Sequence, residues 1–210
     1  MNIAPSLMSA DFSRLAAACD AIAAADMVHL DVTDGHFAPT LTMGPHIVAA
    51  IRQLTTLSLD VHLMVENPER FVDAFREAGA DRIAVHWEAC RDPLALLADI
   101  RQTGAQAGIA LTIDTPVSVV RPLLEAADYV VLLSVELRGS HGFQPTALDK
   151  VRDLVTMRGQ RSRPQVELDG AITPQTAAWA KAAGADILVA GGAVFQTGNP
   201  EQAIRGLRNA

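Results

Sequence analysis

What the sequence has little of already narrows its function. Cysteine is scarce: Cys19 and Cys90 are the only two in 210 residues. They form neither a metal-ligand spacing nor a disulfide framework, which points to a reducing, cytoplasmic setting and to two small buried apolar side chains. Cations are outnumbered, with 17 Lys and Arg against 24 Asp and Glu and a net charge of -7. That balance disfavours nucleic acid and anionic membrane surfaces as partners, although a small anionic substrate stays open because local groups decide its binding. No apolar run is long enough to cross a bilayer, and no basic segment leads into an apolar stretch at the N-terminus. Neither a membrane partner nor export is therefore expected. No Gly-x-Gly-x-x-Gly follows the first strand pattern, so a dinucleotide-binding sheet has little support. Linkers and low-complexity tracts are missing too, and residues 1–210 are expected to form one domain.

What is present is regular. Half of the residues (50%) are hydrophobic, enough for one sizeable core. A small phrase recurs: Ala24-Ala25-Asp26, Gly79-Ala80-Asp81, Ala126-Ala127-Asp128 and Gly184-Ala185-Asp186, each followed by an apolar strand pattern. The copies lie roughly fifty residues apart, about twice the βα unit of a barrel of this length. Further strand patterns sit between them at LSLDVHLM, QAGIALTI and PQVELDG, and NIAPSL opens the chain, for eight in all. Helical patterns fill the intervals: Phe12 to Ala24, Pro45 to Leu54, Pro68 to Ala78, Pro93 to Thr103, Pro116 to Glu125, Thr146 to Met157, Pro174 to Ala183 and Pro200 to Leu207. Several begin with Pro, whose missing N–H costs nothing in a first turn. Strict alternation of strand and helix predicts parallel strands covered by helices. The choice between an open sheet and a closed barrel turns on the strand faces. Parallel strands buried on both sides read as continuous apolar runs. Here Leu57, Leu59, Val61 and Leu63 share one face while Ser58, Asp60, His62 and Met64 share the other. Val166 and Leu168 are likewise separated from Gln165, Glu167 and Asp169. A polar face turned into a barrel interior fits this pattern, so the expected fold is a (βα)8 TIM barrel with its active site at the C-terminal strand ends.

At those ends stand His29 and Asp31, two residues apart and so on one face of their strand, with Val28, Leu30 and Val32 opposite. Taken alone, His29 reads equally well as a hydrogen-bonded structural residue. His62 and Asp169, at or near the ends of two further strands converging on the same barrel mouth, complete an N2O2 set for a divalent ion; Zn, Fe, Mn and Co all suit such donors. Two carboxylates across a polarised carbonyl suit removal of an adjacent proton by one Asp and its return to the opposite face by the other, which is epimerisation. Gly191-Gly192 after the eighth strand pattern, and Gly170-Ala171 after the seventh, offer backbone N–H groups for a phosphate, although tight turns need Gly as well.

Over essentially its whole length the chain also resembles the ribulose-phosphate 3-epimerase family. The stretches that carry the likeness are IAPSL from Ile3 to Leu7, SADF from Ser9 to Phe12, HLDVTDGHFAPTLTMGP from His29 to Pro45, LDVHLMVENPER from Leu59 to Arg70, ELDG from Glu167 to Gly170 and AGGAVF from Ala190 to Phe195. The resemblance implies a ribulose-phosphate-binding barrel in which one divalent metal is held by His29, Asp31, His62 and Asp169. It implies that Asp31 and Asp169 form the catalytic acid/base pair, that Ser6 and His62 touch substrate and that Met64 lines the pocket. It further implies that Gly170, Ala171, Gly191 and Gly192 meet the phosphate of a small phosphorylated ketose, and that the chain self-associates as a homo-oligomer.

Departures from the family pattern cluster around the substrate. In place of a Pro-Gly-Phe-Gly-Gly-Gln type loop the chain reads Glu136 to Gln144, where Arg138, Ser140 and His141 offer donors of another kind. Thr33 and Leu133 stand where methionines are usual, Ala171 where a second Gly follows Asp-Gly, Trp87 where a Pro sits between His and Glu, and Thr112-Ile113 where Asn-Pro is usual. The expected reaction is interconversion of D-ribulose 5-phosphate and D-xylulose 5-phosphate. The altered loop keeps open another ketose phosphate, such as allulose 6-phosphate or a tetrulose phosphate, and a non-catalytic sugar-phosphate-binding barrel. His36 and His46 are read as loop or solvent residues, Trp179 as helix packing, and Asp34 as the anchor of the loop after Asp31. His86 ends the fourth strand facing inward, and a structural hydrogen bond is expected of it rather than a substrate contact.

Overall fold

Every one of the eight apolar patterns is a strand in the computed structural model, which describes residues 1–210. They are β1 (Asn2–Pro5), β2 (Met27–Thr33), β3 (Ser58–Met64), β4 (Arg82–His86), β5 (Gln106–Leu111), β6 (Tyr129–Leu133), β7 (Gln165–Asp169) and β8 (Ile187–Ala190). The ladder runs β1-β8-β7-β6-β5-β4-β3-β2 and each pair in it is parallel. The end strands meet through a parallel bridge of Ser6 with His29 and a bond from the Asp26 N–H to the Ile3 carbonyl at 3.2 Å. The sheet is thereby nearly closed into a barrel.

The covering helices are α1 (Leu15–Ala21), α2 (Pro45–Arg52), α3 (Val72–Glu77), α4 (Pro93–Gln102), α5 (Thr146–Arg158), α6 (Pro174–Ala183), α7 (Gly192–Phe195) and α8 (Pro200–Asn209). Asp92, Thr173 and Asn199 accept N–H bonds at the starts of α4, α6 and α8, each directly before a Pro. Pro116 to Glu125 is a correction: Val117–Leu123 forms a 3-10 turn, not an α-helix. Pro122 lies inside it and has no N–H for an α-helical bond, and Val117, Val119 and Val120 are β-branched. The patterns from Phe12 and Pro68 also open as 3-10 turns before α1 and α3.

The repeated small-small-Asp phrase does one job four times. Asp26, Asp81, Asp128 and Asp186 stand just before β2, β4, β6 and β8. A carboxylate oxygen of each accepts the N–H near the start of the preceding odd strand: Ile3 at 2.8 Å, Leu59 at 2.9 Å, Ala107 at 2.9 Å and Val166 at 2.8 Å. Each Asp is also met by an arginine from the last turn of a helix: Arg208 of α8, Arg52 of α2, Arg101 of α4 and Arg158 of α5. The phrase recurs at every second strand because it ties together a pair of strands. It lies at the N-terminal rim, where a TIM barrel keeps its stabilising contacts away from chemistry.

Strand alternation divides the apolar residues into two sets. Outward side chains such as Val28, Leu30, Leu59, Val61, Ile83, Val130 and Leu168 join the main core under the helices. Inward ones form small clusters, among them Ala84, Ala110, Tyr129 and Val131. Gly108 pairs with Tyr129 in register, and a Cβ at Gly108 would collide with Cζ of the Tyr129 ring. Gly108→Ala is therefore expected to lower stability by about 1–3 kcal/mol through overpacking. Thermal or denaturant unfolding checks this, and a variant as stable as the wild type would contradict it.

Candidate active site and metal centre

The inward face of β2 carries His29, Asp31 and Thr33, that of β3 carries Asp60, His62 and Met64, and that of β7 carries Glu167 and Asp169. Register places Asp31 beside His62 and Thr33 beside Met64. His29, Asp31, His62 and Asp169 converge, with one ligand atom from each lying within 4.8 Å of all the others. His29 Nε2 is 3.4 Å from Asp31 Oδ1 and 3.9 Å from Asp169 Oδ2. His62 Nδ1 is 3.4 Å from Asp169 Oδ2 and 3.9 Å from Asp31 Oδ1.

Two observations fit this set to a cation. His29 Nε2 and His62 Nδ1 are buried and have no hydrogen-bond partner in the protein. Bare ring nitrogens without a donor are rare unless something else fills the position. The second is charge. Burial opposes protonation of His29, yet the carboxylates of Asp31, Asp60 and Glu167 raise its pKa well above the ordinary value. The nest favours positive charge at that nitrogen, and a divalent ion between two imidazoles and two carboxylates supplies it.

Each imidazole is held from behind. His29 Nδ1 bonds Asp60 Oδ2 at 2.8 Å, which leaves Nε2 to face the cluster. Asp60 is gripped by Arg82 Nε at 3.0 Å, and Arg82 also donates to Glu167 Oε2 at 2.7 Å while its guanidinium lies 3.9 Å from the centre of the Tyr129 ring. Burial and the Asp60 charge push Glu167 up to about 7. On the other side, His62 Nε2 meets His86 Nε2 at 2.9 Å, and His86 Nδ1 meets Glu88 Oε2 at 3.1 Å. Burial holds His86 at about 4, so its ring is neutral near pH 7. His86 thus makes the structural hydrogen bond expected of it.

Asp31 is buried, which opposes its charge, but His29, His62 and Ser6 outweigh burial and bring it to about 2. Ser6, in the turn after β1, donates its hydroxyl to Asp31 Oδ2. Thr42 grips the same strand end, donating to the Asp31 carbonyl at 2.6 Å and accepting from the Thr33 N–H at 2.9 Å. Asp34 anchors the following loop, its carboxylate accepting from the N–H groups of His36, Phe37 and Glu66 at 2.8 Å each.

The turns after β7 and β8 are unusual backbone. Gly170 has φ +116° and a Cβ there would come 2.8 Å from Val135. Ala171 follows with φ +48°, a left-handed conformation that an Ala adopts at a cost of about 1–2 kcal/mol. A Cβ at Gly191 would collide with Ser9, and Gly192 opens α7, whose first N–H groups lack intrahelical acceptors. Arg138, Ser140 and His141 are exposed. The Arg138 guanidinium donates to the carbonyls of His36 and Phe37, tying the 136–144 loop to the loop after β2. Ser140 bonds within its own loop, to Glu136 and Gly142.

Sequence reasoning assigned no role to Asp60, Arg82, Tyr129, Glu167, Glu88, Thr112 or Thr115. The alternation that placed His62 and Asp169 inward does so for Asp60 and Glu167 too, one step deeper. That was the available signal.

Residues 2–195 match the model of the Ribulose-phosphate 3 epimerase family. Relatives named ribulose-phosphate 3-epimerase include one from Synechocystis sp., 43% identical over 214 residues and covering 99% of this chain and 93% of the relative. One from Bacillus subtilis is 38% identical over 215 residues, with 100% and 99% covered. One from Mycobacterium tuberculosis is 40% identical over 209 residues, with 98% and 91% covered. Among solved structures, a mutant tryptophan synthase alpha-subunit from Pyrococcus furiosus superposes with a TM-score of 0.71 at 16% identity, over 100% of this chain and 98% of the other. A 3-hexulose-6-phosphate synthase does so with a TM-score of 0.68 at 17% identity, over 100% and 99%. These two are alike in fold, that of a TIM barrel. With the family model spanning residues 2–195 and relatives alike along nearly their full length, the chain belongs to the ribulose-phosphate 3-epimerase family.

Proposed function

We propose that this protein is a metal-dependent ketose-phosphate 3-epimerase that interconverts D-ribulose 5-phosphate and D-xylulose 5-phosphate, with residues 1–210 forming one catalytic domain. The observation that carries the reading is the meeting of two carboxylates, Asp31 and Asp169, with two unpartnered buried imidazole nitrogens in one cluster. His29, Asp31, His62 and Asp169 would hold one divalent ion, of Zn, Fe, Mn or Co type. Such an ion supplies Lewis-acid stabilisation of the negative charge that grows on the sugar oxygens as the C3 proton leaves.

The chain's own residues move the proton. Asp31, kept ionised by its imidazole neighbours, takes the C3 proton of one epimer, and Asp169 returns a proton to the opposite face. In the reverse direction the roles exchange. Ser6 keeps Asp31 aligned by its hydrogen bond and touches the substrate together with His62 and Met64. The phosphate rests on backbone N–H groups of Gly170, Ala171, Gly191 and Gly192, where the start of α7 contributes its partial positive charge. Arg138, Ser140 and His141 complete the phosphate side from the 136–144 loop. A cytoplasmic setting and self-association as a homo-oligomer belong to the same reading.

Stripping the protein with a chelator is expected to abolish epimerisation, and returning a divalent ion is expected to restore it, with the retained element identified by mass spectrometry. Full activity in metal-free protein would reject the metal. A panel of ketose phosphates tests the substrate: undetectable turnover of ribulose 5-phosphate beside rapid turnover of allulose 6-phosphate or a tetrulose phosphate would reject the first choice.

A further inference from the structure

His29 faces the cluster through Nε2, whereas His62 faces it through Nδ1. A neutral imidazole has one bare nitrogen, so the wrong tautomer of His62 would aim an N–H at the ligand position and close it. What sets the tautomer must act on the other nitrogen, Nε2, and its partner there is His86 rather than a carboxylate.

The direction of the hydrogen bonds follows from the far end of the chain. Glu88 lies in the 3-10 turn Trp87–Ala89 that ends β4. Its Oε1 is saturated by three donors: the Thr112 N–H at 2.8 Å, the Thr112 hydroxyl at 2.9 Å and the Thr115 hydroxyl. The Thr112 segment is itself pinned, because Lys150 of α5 donates to the carbonyls of Thr112 at 2.6 Å and Ile113 at 3.2 Å. Oε2 is left to face His86 Nδ1 at 3.1 Å. A carboxylate only accepts, so His86 carries its proton on Nδ1 and its Nε2 is bare. That bare nitrogen, 2.9 Å from His62 Nε2, must accept, so His62 carries its proton on Nε2. Nδ1 of His62 is then a lone pair, and it is one of the two ring nitrogens without a partner. Phe37 covers the relay, its ring centre 4.7 Å from that of His86.

We infer that Glu88, acting through His86, is a positioning residue that sets the tautomer of His62 and so keeps a ligand atom open at the metal site. This rests on the metal reading above. The two imidazoles are thus held by different devices: His29 by a charged carboxylate pair-bonded to Arg82, His62 by a neutral imidazole whose proton order is dictated from Glu88.

Glu88→Gln tests the direction. The three donors at Oε1 demand an oxygen, so the amide NH2 is turned toward His86. It donates to His86 Nδ1, the His86 proton shifts to Nε2, and His62 is driven to carry its proton on Nδ1, facing the cluster. Nitrogen-15 NMR of histidine-labelled, metal-free wild-type protein is expected to show His62 protonated at Nε2 and bare at Nδ1, with the reverse in Glu88→Gln. Co(II) binding to Glu88→Gln is expected to be about 10- to 100-fold weaker, with an altered visible ligand-field spectrum. The wild-type tautomer is a test even if the variant does not fold: His62 protonated at Nδ1 in the wild type overturns the inference. Wild-type Co(II) binding with Glu88→Gln unchanged in tautomer and within about twofold in affinity overturns it as well. A wild type that binds no Co(II) at all overturns the metal reading, and the inference with it.

Discussion

Asp31→Asn and Asp169→Asn are each expected to lower kcat for epimerisation by about a hundredfold to ten-thousandfold, the range in which loss of a proton-transfer group falls. Asparagine matches the shape of aspartate but neither takes nor returns a proton. Each change also replaces an anionic oxygen in the cluster with His29 and His62, whose unpartnered nitrogens lie 3.4 to 3.9 Å from these two carboxylates. The two variants should differ in what survives. With one carboxylate left, the epimer whose C3 hydrogen faces that carboxylate can still exchange with solvent, but no proton arrives on the other face. Proton NMR in D2O would then show slow loss of the C3 signal from one epimer without formation of its partner. The opposite variant should exchange the opposite epimer. Activity within about tenfold of wild type in either variant would remove that residue from the acid/base pair.

Arg82→Met is expected to be the most destabilising of the changes considered, by about 3–5 kcal/mol. Arg82 is the only cation bonded to both Asp60 and Glu167, at 3.0 and 2.7 Å, and all three side chains are buried. Removing it leaves the buried Asp60 and Glu167 carboxyls facing only the His29 imidazole, and it also empties the face of Tyr129 against which the guanidinium lies. For a chain of this size the loss corresponds to a fall in Tm of roughly 6–20 °C. Adding Asp60→Asn and Glu167→Gln should recover part of it, because neutral amides need no counter-charge. A single Arg82→Met variant within about 1 kcal/mol of wild type in denaturant unfolding would show that the network does not stabilise the barrel.

The strand faces were legible because alternation is a local property: Asp60, His62, Glu167 and Asp169 announce an inward polar face within seven-residue and five-residue strands. His29, Asp31, His62 and Asp169 could be grouped because each lies on an inward strand face, Asp169 at the strand's end and the others two to four residues before it, and inward faces in a barrel converge. Partnership across the barrel was not legible. Arg82 and Glu167 are 85 residues apart, and nothing in the sequence around either names the other. Glu88 was hidden for the same reason, since its donors come from Thr112 and Thr115 on the next βα turn. The recurring Asp was visible as a repeat, but its purpose needed the hydrogen bonds to the preceding strands. The Pro116 to Glu125 pattern misled because apolar spacing outweighed Pro122, whose missing N–H decided the conformation.

The most direct test is proton NMR of ribulose 5-phosphate incubated in D2O with the metal-loaded wild-type protein. Xylulose 5-phosphate carrying deuterium at C3 is the expected product, because Asp31 and Asp169 exchange their protons with solvent between removal and return. A C3 hydrogen that persists with no xylulose 5-phosphate formed, in protein shown to contain its metal, would contradict the two-carboxylate epimerase.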